Sequence, residues 1–221
     1  MNFAYYSFPP FAVRTGKVTV IDTAVQRIYQ DLSMGFQDKL ETVKLSDDDF
    51  TSVTVKNGAR WYGDPMLTVD LNSLFQRKLQ VQLIKMLTDN QVVALSDGLR
   101  ELLSKLLEDS YLMDVPLEMP EIPELSKLVK LSGIQITAGP VDDAYAIIES
   151  LIKVLIELND QRMIVLTNVS HYLQVSQFQS LVRFMTNADL SLLLIEFSPN
   201  QRKEYFADCD YHYIDSDFVL W

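Results

Sequence analysis

Arg162-Met-Ile-Val-Leu-Thr-Asn168 and Leu190-Ser-Leu-Leu-Leu-Ile-Glu-Phe197, with a helical pattern between them, decide the fold. Both runs are continuously apolar. A strand that is apolar on both faces must be covered on both faces, as in a parallel sheet flanked by helices. Between them Val175, Phe178, Leu181, Val182 and Met185 recur at helical spacing, and Ser176 with Gln179 fits a capping box. Strand, helix, strand in this order predicts a βαβ unit and hence an α/β fold with a mostly parallel sheet.

The chain has 221 residues, 48% of them hydrophobic, which supports a sizeable core. No apolar run reaches the length of a membrane span, and Met1-Asn-Phe-Ala-Tyr-Tyr6 lacks the basic start of a signal peptide. With Cys209 as the single cysteine, a cytoplasmic protein is expected. The net charge of −11 taken alone argues against a nucleic-acid partner, yet it allows a local basic strip and a cation over acidic clusters.

Working outward, Phe3 to Tyr6 and Lys17 to Ile21 read as strands. Val25, Ile28, Tyr29 and Leu32 form a helix face, with Gly35 expected as its C-cap glycine. Thr51 to Lys56, Asn57-Gly58 and Arg60 to Tyr62 read as a hairpin, followed by a short strand Met66 to Val69. Leu71 to Leu87 and Val92 to Leu107 carry two helical stripes, an αα-hairpin with shallow packing. Leu125 to Leu131 predicts a short helix stopped at Gly133, and Ile134 to Ile136 a strand. From Pro140 to about Leu158 runs a helix apolar on most sides, which belongs in a core or a subunit interface. Tyr211 to Trp221 reads as a closing hairpin. The domains expected are a discontinuous head, 1–70 and 119–221, and an inserted helical leg, 71–118.

Chemistry is sparse. No Gly-x-x-x-x-Gly-Lys-Ser/Thr or Gly-x-Gly-x-x-Gly occurs, and seven glycines leave little material for a phosphate loop. His171 and His212 are too few for a zinc site, and Ser170-His171 reads as a loop rather than a catalytic pair. Asp22, Asp70 and Glu196, with Asn168, follow apolar runs and are either solvated strand ends or a two-metal site of a nuclease or nucleotide hydrolase. Glu118, Glu121 and Glu124 recur every three residues in a proline-broken segment, either a solvated acidic hinge or, with Asp142 and Asp143, a place for calcium. Arg77, Lys78 and Lys85 on the first leg helix, and Lys127 and Lys130 on the short helix, read from spacing as solvated faces.

Leu131-Ser-Gly-Ile-Gln-Ile136, the acid-started helix, Met163-Ile-Val-Leu-Thr-Asn168-Val-Ser-His-Tyr172-Leu173, Leu192 to Phe197 and Asp210-Tyr-His-Tyr-Ile-Asp215 together resemble the Csn-two family. These are CRISPR-associated spacer-acquisition proteins of type II-A systems. Gln26-Arg-Ile-Tyr29 and Met66 to Ser73 agree more loosely. The resemblance implies an ATPase-like head without a working phosphate loop, a helical leg, and a ring of four chains. It also implies sequence-independent binding of double-stranded DNA ends in a basic channel, calcium-supported assembly and no catalysis. Expected partners are DNA, further copies of the chain, and the integrase complex and effector nuclease of the same system. Carried onto this sequence, calcium would fall to Glu118, Glu121, Glu124 and Asp142, although Pro116, Pro120 and Pro123 interrupt the acidic run. Arg77, Lys78, Lys85, Lys127 and Lys130 would line the channel. The alternatives are the strand-end metal enzyme and a pure protein-interaction scaffold.

Overall fold

The structure is a computed structural model that describes residues 1–6, 8–115, 117–118, 124–137, 140 and 143–221. The chain divides into two compact units, Met1–Asp70 with Ala138–Trp221 and Leu71–Thr137. The head–leg boundary expected at 118/119 therefore lies at 137/138. The reason is that the short helix Leu125–Leu131 packs on the two leg helices.

In the first unit the strands are β1 (Asn2–Ala4), β2 (Phe11–Ala12), β3 (Val18–Thr23), β4 (Lys44–Ser46), β5 (Ser52–Val53), β6 (Ala59–Gly63), β7 (Met163–Thr167), β8 (Leu192–Phe197) and β9 (Asp210–Ile214). The helices are α1 (Gln26–Phe36), the single turn α2 (Val55–Gly58), α6 (Ala144–Glu157) and α7 (Val175–Ala188). The second unit holds α3 (Leu71–Met86), α4 (Asp89–Ser110) and α5 (Leu125–Leu131).

The main sheet has the order β6-β7-β8-β3-β9 and is parallel throughout. Every residue of β3 and β7 is buried, the pattern that both-face cover demands. One face packs on α1 and on the small antiparallel sheet β2-β1-β4-β5, through Ile21, Val165, Leu193 and Ile195 against Phe3, Phe11, Ile28, Leu32 and Leu45. Because alternate residues point to opposite faces, Val20, Ile164, Leu166 and Leu194 look the other way and are equally buried. The covered faces of α6 and α7, which pack on each other, close that side with Ile148, Leu151, Leu155, Phe178, Leu181 and Met185. Each such Leu or Ile contributes about 1.5–3 kcal/mol on burial. The greasy helix α6 is thus consumed by the core of its own unit and no longer points to a subunit interface.

Several local expectations fail for identifiable reasons. Asn57-Gly58 ends the turn α2 and joins strands of two different sheets, so it makes no hairpin. Gly35 lies inside α1, where a Cβ would stand 2.6 Å from both Thr42 Oγ1 and Val43 Cγ2, and close approach rather than capping explains it. Met66 to Val69 is a turn, built by Asp64 accepting from Met66 N at 3.0 Å and by Thr68 donating to Tyr62 O at 2.5 Å. Ile134 to Ile136 is not a strand, and Asn72 pairs with both backbone groups of Ile136 instead. The capping box of α7 is Gln174 with Gln177, two residues before the expected one. By contrast, the closing hairpin does form: β9 joins β3 in parallel, and beyond Asp215 the chain folds back so that Tyr213 and Trp221 exchange backbone hydrogen bonds of 3.2 and 2.8 Å around an antiparallel bridge of Ile214 with Leu220.

The leg also departs from a close αα-hairpin. α3 and α4 each pack on α5, with little close contact between them. α4 buries no residue, leaving Leu95, Leu102 and Leu106 exposed. No helix among the described residues is long and apolar enough to cross a membrane.

Candidate functional site

All strands of the main sheet run the same way, so their carboxyl ends share one edge. Such edges carry the ligand sites of α/β folds. Here that edge presents Asp64 after β6, Asn168 after β7, Glu196 in β8 and Asp22 in β3. Asp22 and Glu196 are register partners on adjacent strands, and both are fully buried.

Two buried carboxylates side by side need a cation or protons. The cation is Arg202, from the loop between β8 and β9. Its Nε lies 3.1 Å from Asp22 Oδ2 and its NH2 3.4 Å from Glu196 Oε2. Hydroxyls complete the shell. Ser170 Oγ donates to Glu196 Oε2 at 2.6 Å and accepts from Arg202 NH1 at 2.6 Å, while Ser170 N donates to Glu196 Oε1 at 3.2 Å. Tyr211 OH and Ser198 Oγ lie 3.0 and 3.1 Å from Asp22 Oδ2. Asp22 Oδ1 is buried without a hydrogen-bond partner among the described residues.

The electrostatics follow from this geometry. Burial pushes the Glu196 carboxyl above its ordinary range, against the hydrogen bonds of Ser170 and the charge of Arg202. Burial works to lower Arg202, but hydrogen bonds and charge from Asp22 and Glu196 outweigh it and hold the guanidinium more firmly protonated. Tyr205, beside the cluster, is pushed up to about 12 by burial and by the charge of Glu196. The strand-end acids are therefore engaged by a guanidinium and hydroxyls. Asp70 ends no strand, so the three acids do not converge as the metal reading required. Ser170 pairs with Glu196 and Arg202, and His171 is exposed, so no Ser-His pair forms.

A second network lies on the same edge. Tyr172 OH donates to Asp64 Oδ2 at 2.9 Å, Asn168 Nδ2 to the same oxygen at 3.4 Å, and Tyr29 OH to Asn168 Oδ1 at 3.2 Å. Asn168 takes a left-handed backbone (φ 58°), a conformation asparagine tolerates well. Only Ala24 and Val25 separate β3 from α1, too little for the eight-residue phosphate loop that P-loop proteins place between strand and helix.

The described residues assigned to calcium and to DNA belong to the second unit. Glu118 and Glu124 are exposed, and Glu124 accepts from Ser126 Oγ at 3.1 Å. Glu121 and Asp142 lie outside the described residues. Among the described residues no group of three acidic, histidine or cysteine side chains gathers, and calcium wants about six to eight oxygens, so the described carboxylates alone do not make a cage. Arg77, Lys78, Lys85, Lys127 and Lys130 are all exposed and all fall in the unit Leu71–Thr137. They sit on α3 and α5, which pack on each other and contain no acidic residue. The acids of the leg helices are on α4, where Asp97 and Glu101 pair with Arg100 and Lys105.

Arg202, Ser170, Ser198 and Tyr211 were missed as site residues by sequence reasoning. A signal existed: two acids at the ends of buried strands demand a positive partner.

A family model, described as CRISPR-associated protein (Cas_Csn2), matches residues 37–217. The crystal structure of Stu0660 of Streptococcus thermophilus superposes with a TM-score of 0.56 at 13% identity, covering 97% of this chain and 74% of that one. A nucleotide-free ATP-binding cassette from an ABC transporter gives a TM-score of 0.42 at 15% identity, covering 93% of this chain and 79% of that one. No curated protein matches the chain.

Proposed function

The chain belongs to the family of CRISPR-associated proteins (Cas_Csn2), and from that membership we propose that it binds double-stranded DNA ends without catalysis during spacer acquisition in a type II-A system. One observation carries the reading: α3 and α5 concentrate five cations and no acid inside a chain of net charge −11. Duplex affinity comes mainly from cations that displace phosphate counterions, so segregation of charge matters more than its total. In a homotetrameric ring Arg77, Lys78, Lys85, Lys127 and Lys130 repeat in every subunit around the channel. Their contacts are to phosphate, so binding ignores sequence. Calcium supports assembly through Glu118, Glu121, Glu124 and Asp142. The integrase complex and effector nuclease of the same system are the expected protein partners, and the cytoplasm is the expected compartment.

The absence of catalysis is supported by the carboxyl edge, where Arg202 engages Asp22 and Glu196 and no phosphate loop fits between β3 and α1. The test is incubation of the full chain with labelled linear duplex and magnesium, manganese or calcium. A shifted but intact duplex is the expected result. Sustained cleavage that disappears in Asp22→Ala or Glu196→Ala would replace this reading with the metal-nuclease one, and failure to shift duplex under any cation would leave the scaffold reading.

A further inference from the structure

A cavity of ≈ 470 Å³ in the first unit is lined by Tyr5, Tyr6, Phe8, Phe218, Leu220 and Arg27. That volume falls within the range of small-molecule sites, which pair apolar walls with a few fixed polar groups. Four of the six lining residues are aromatic. Tyr5 is the buried floor, edge-on to Tyr6 at 4.8 Å and stacked with Phe8 at 6.0 Å between ring centroids. Its hydroxyl donates to Asp31 Oδ2 at 3.1 Å, which fixes the ring. At the mouth, Tyr6 and Phe218 are 66% and 54% exposed.

Both mouth residues have left-handed backbones, Tyr6 at φ 44° and Phe218 at φ 61°. Bulky side chains avoid this region, and residues held in it concentrate at ligand clamps. The strain at Phe218 is imposed by Asp215, whose Oδ1 accepts from Asp217 N and Val219 N at 2.9 Å each. Among the described lining residues the cation is Arg27, which keeps 77% of its side chain exposed and pairs with Asp31 at 3.7 Å. Aromatic faces stack on a planar ring, and a guanidinium beside them takes an anion by charge-assisted hydrogen bonds.

We infer that this cavity is a binding site for a nucleobase with an attached phosphate, the base between the Tyr6 and Phe218 rings and the phosphate on Arg27. A free nucleoside monophosphate and an unpaired nucleotide at a strand end share that chemistry. The site belongs to the first unit, whereas the cations of α3 and α5 belong to the second, and its free-nucleotide test requires no duplex binding.

The experiment is calorimetric titration of the full chain with dAMP and with deoxyadenosine, for wild type, Phe218→Gly and Arg27→Gln. Glycine suits the left-handed position, so Phe218→Gly keeps the fold while removing the ring. Saturable dAMP binding with Kd below about 1 mM, several-fold tighter than deoxyadenosine, is expected, and removal of the ring weakens it about tenfold. Arg27→Gln reduces dAMP affinity to that of deoxyadenosine. A second arm compares blunt duplex with duplex carrying a one-nucleotide overhang. Tighter binding of the overhang that vanishes in Phe218→Gly assigns the site to strand ends, and equal binding assigns it to free nucleotide. No dAMP binding up to about 10 mM, or binding undiminished in both variants, overturns the proposal whatever the duplexes do. Loss of duplex binding with dAMP binding intact would strike the channel reading and leave this site standing.

Discussion

Arg202 stands between two carboxylates that the fold buries completely, with its own side chain a quarter exposed. Removing one partner of a buried ion pair costs far more than the pair contributes, because the remaining charge stays buried. Arg202→Met should therefore lower the unfolding free energy by about 3 kcal/mol in urea titration. Adding Asp22→Asn and Glu196→Gln should restore part of it, and equal stability of wild type and Arg202→Met would deny the clasp. Asp160 gives a second residue-scale outcome. The hydrogen bonds of Arg162 hold its carboxyl below the ordinary range, despite burial. A folded-state value below the unfolded one means that the unfolded chain binds more protons, so stability rises with pH across that window. The contribution is complete above about pH 4 and is lost as pH falls through the folded value. Asp160→Asn should flatten the acid limb of a stability–pH curve, and an unchanged limb would contradict the assignment. At this scale the sequence placed Asp22 and Glu196 on buried strands, but it misplaced Asp70, passed over Asp64 and did not show what answers the buried acids. Glu196 and Arg202 are six residues apart on a strand and a loop, and only the path of that loop brings them together.

The unit from β7 through α7 to β8 was legible because continuous apolar runs leave a parallel strand few alternatives. The stop of α5 was legible too, since Gly133 takes φ 68°. The Asn57-Gly58 hairpin failed because the turn signal is local while β5 and β6 belong to different sheets. Glycine marks positions of two kinds here, and substitution separates them. Gly35→Ala should destabilise by about 1–3 kcal/mol, since its Cβ would overlap Thr42 and Val43. Gly98→Ala, in the interior of α4 with nothing within 4 Å of its Cβ, should stabilise by about 0.5–1 kcal/mol. Thermal unfolding of both variants reads the two signs directly, and like signs would reject the packing explanation of Gly35. Thr88 caps α4 by a reciprocal pair with Gln91, so Thr88→Ala should cost about 1 kcal/mol within the leg.

At the scale of the whole molecule, the described residues of the leg leave apolar side chains exposed. α4 buries none of its residues, and Leu95, Leu102 and Leu106 stand exposed on it. A second copy is the expected cover, in a homotetramer that calcium strengthens, and light scattering should give the mass of four chains with calcium and less with chelator. Leu102→Glu should shift that equilibrium toward smaller species, and a monomer under both conditions would end the ring model. Charge is arranged at the same scale: α3 and α5 are wholly basic and α4 largely acidic. Neither composition nor net charge revealed this, because the segregation appears only once α5 is seen to pack on α3. Each phosphate contact removed by Lys78→Ala, Lys85→Ala or Lys127→Ala should reduce the slope of log K against log salt by roughly 0.9. The central claim is that duplex threads a closed ring through a free end. Its most direct test is a gel shift of one plasmid, circular and linearised, with calcium and with chelator. The linear form should shift with calcium while the covalently closed circle does not, and equal shifts of both forms would contradict it.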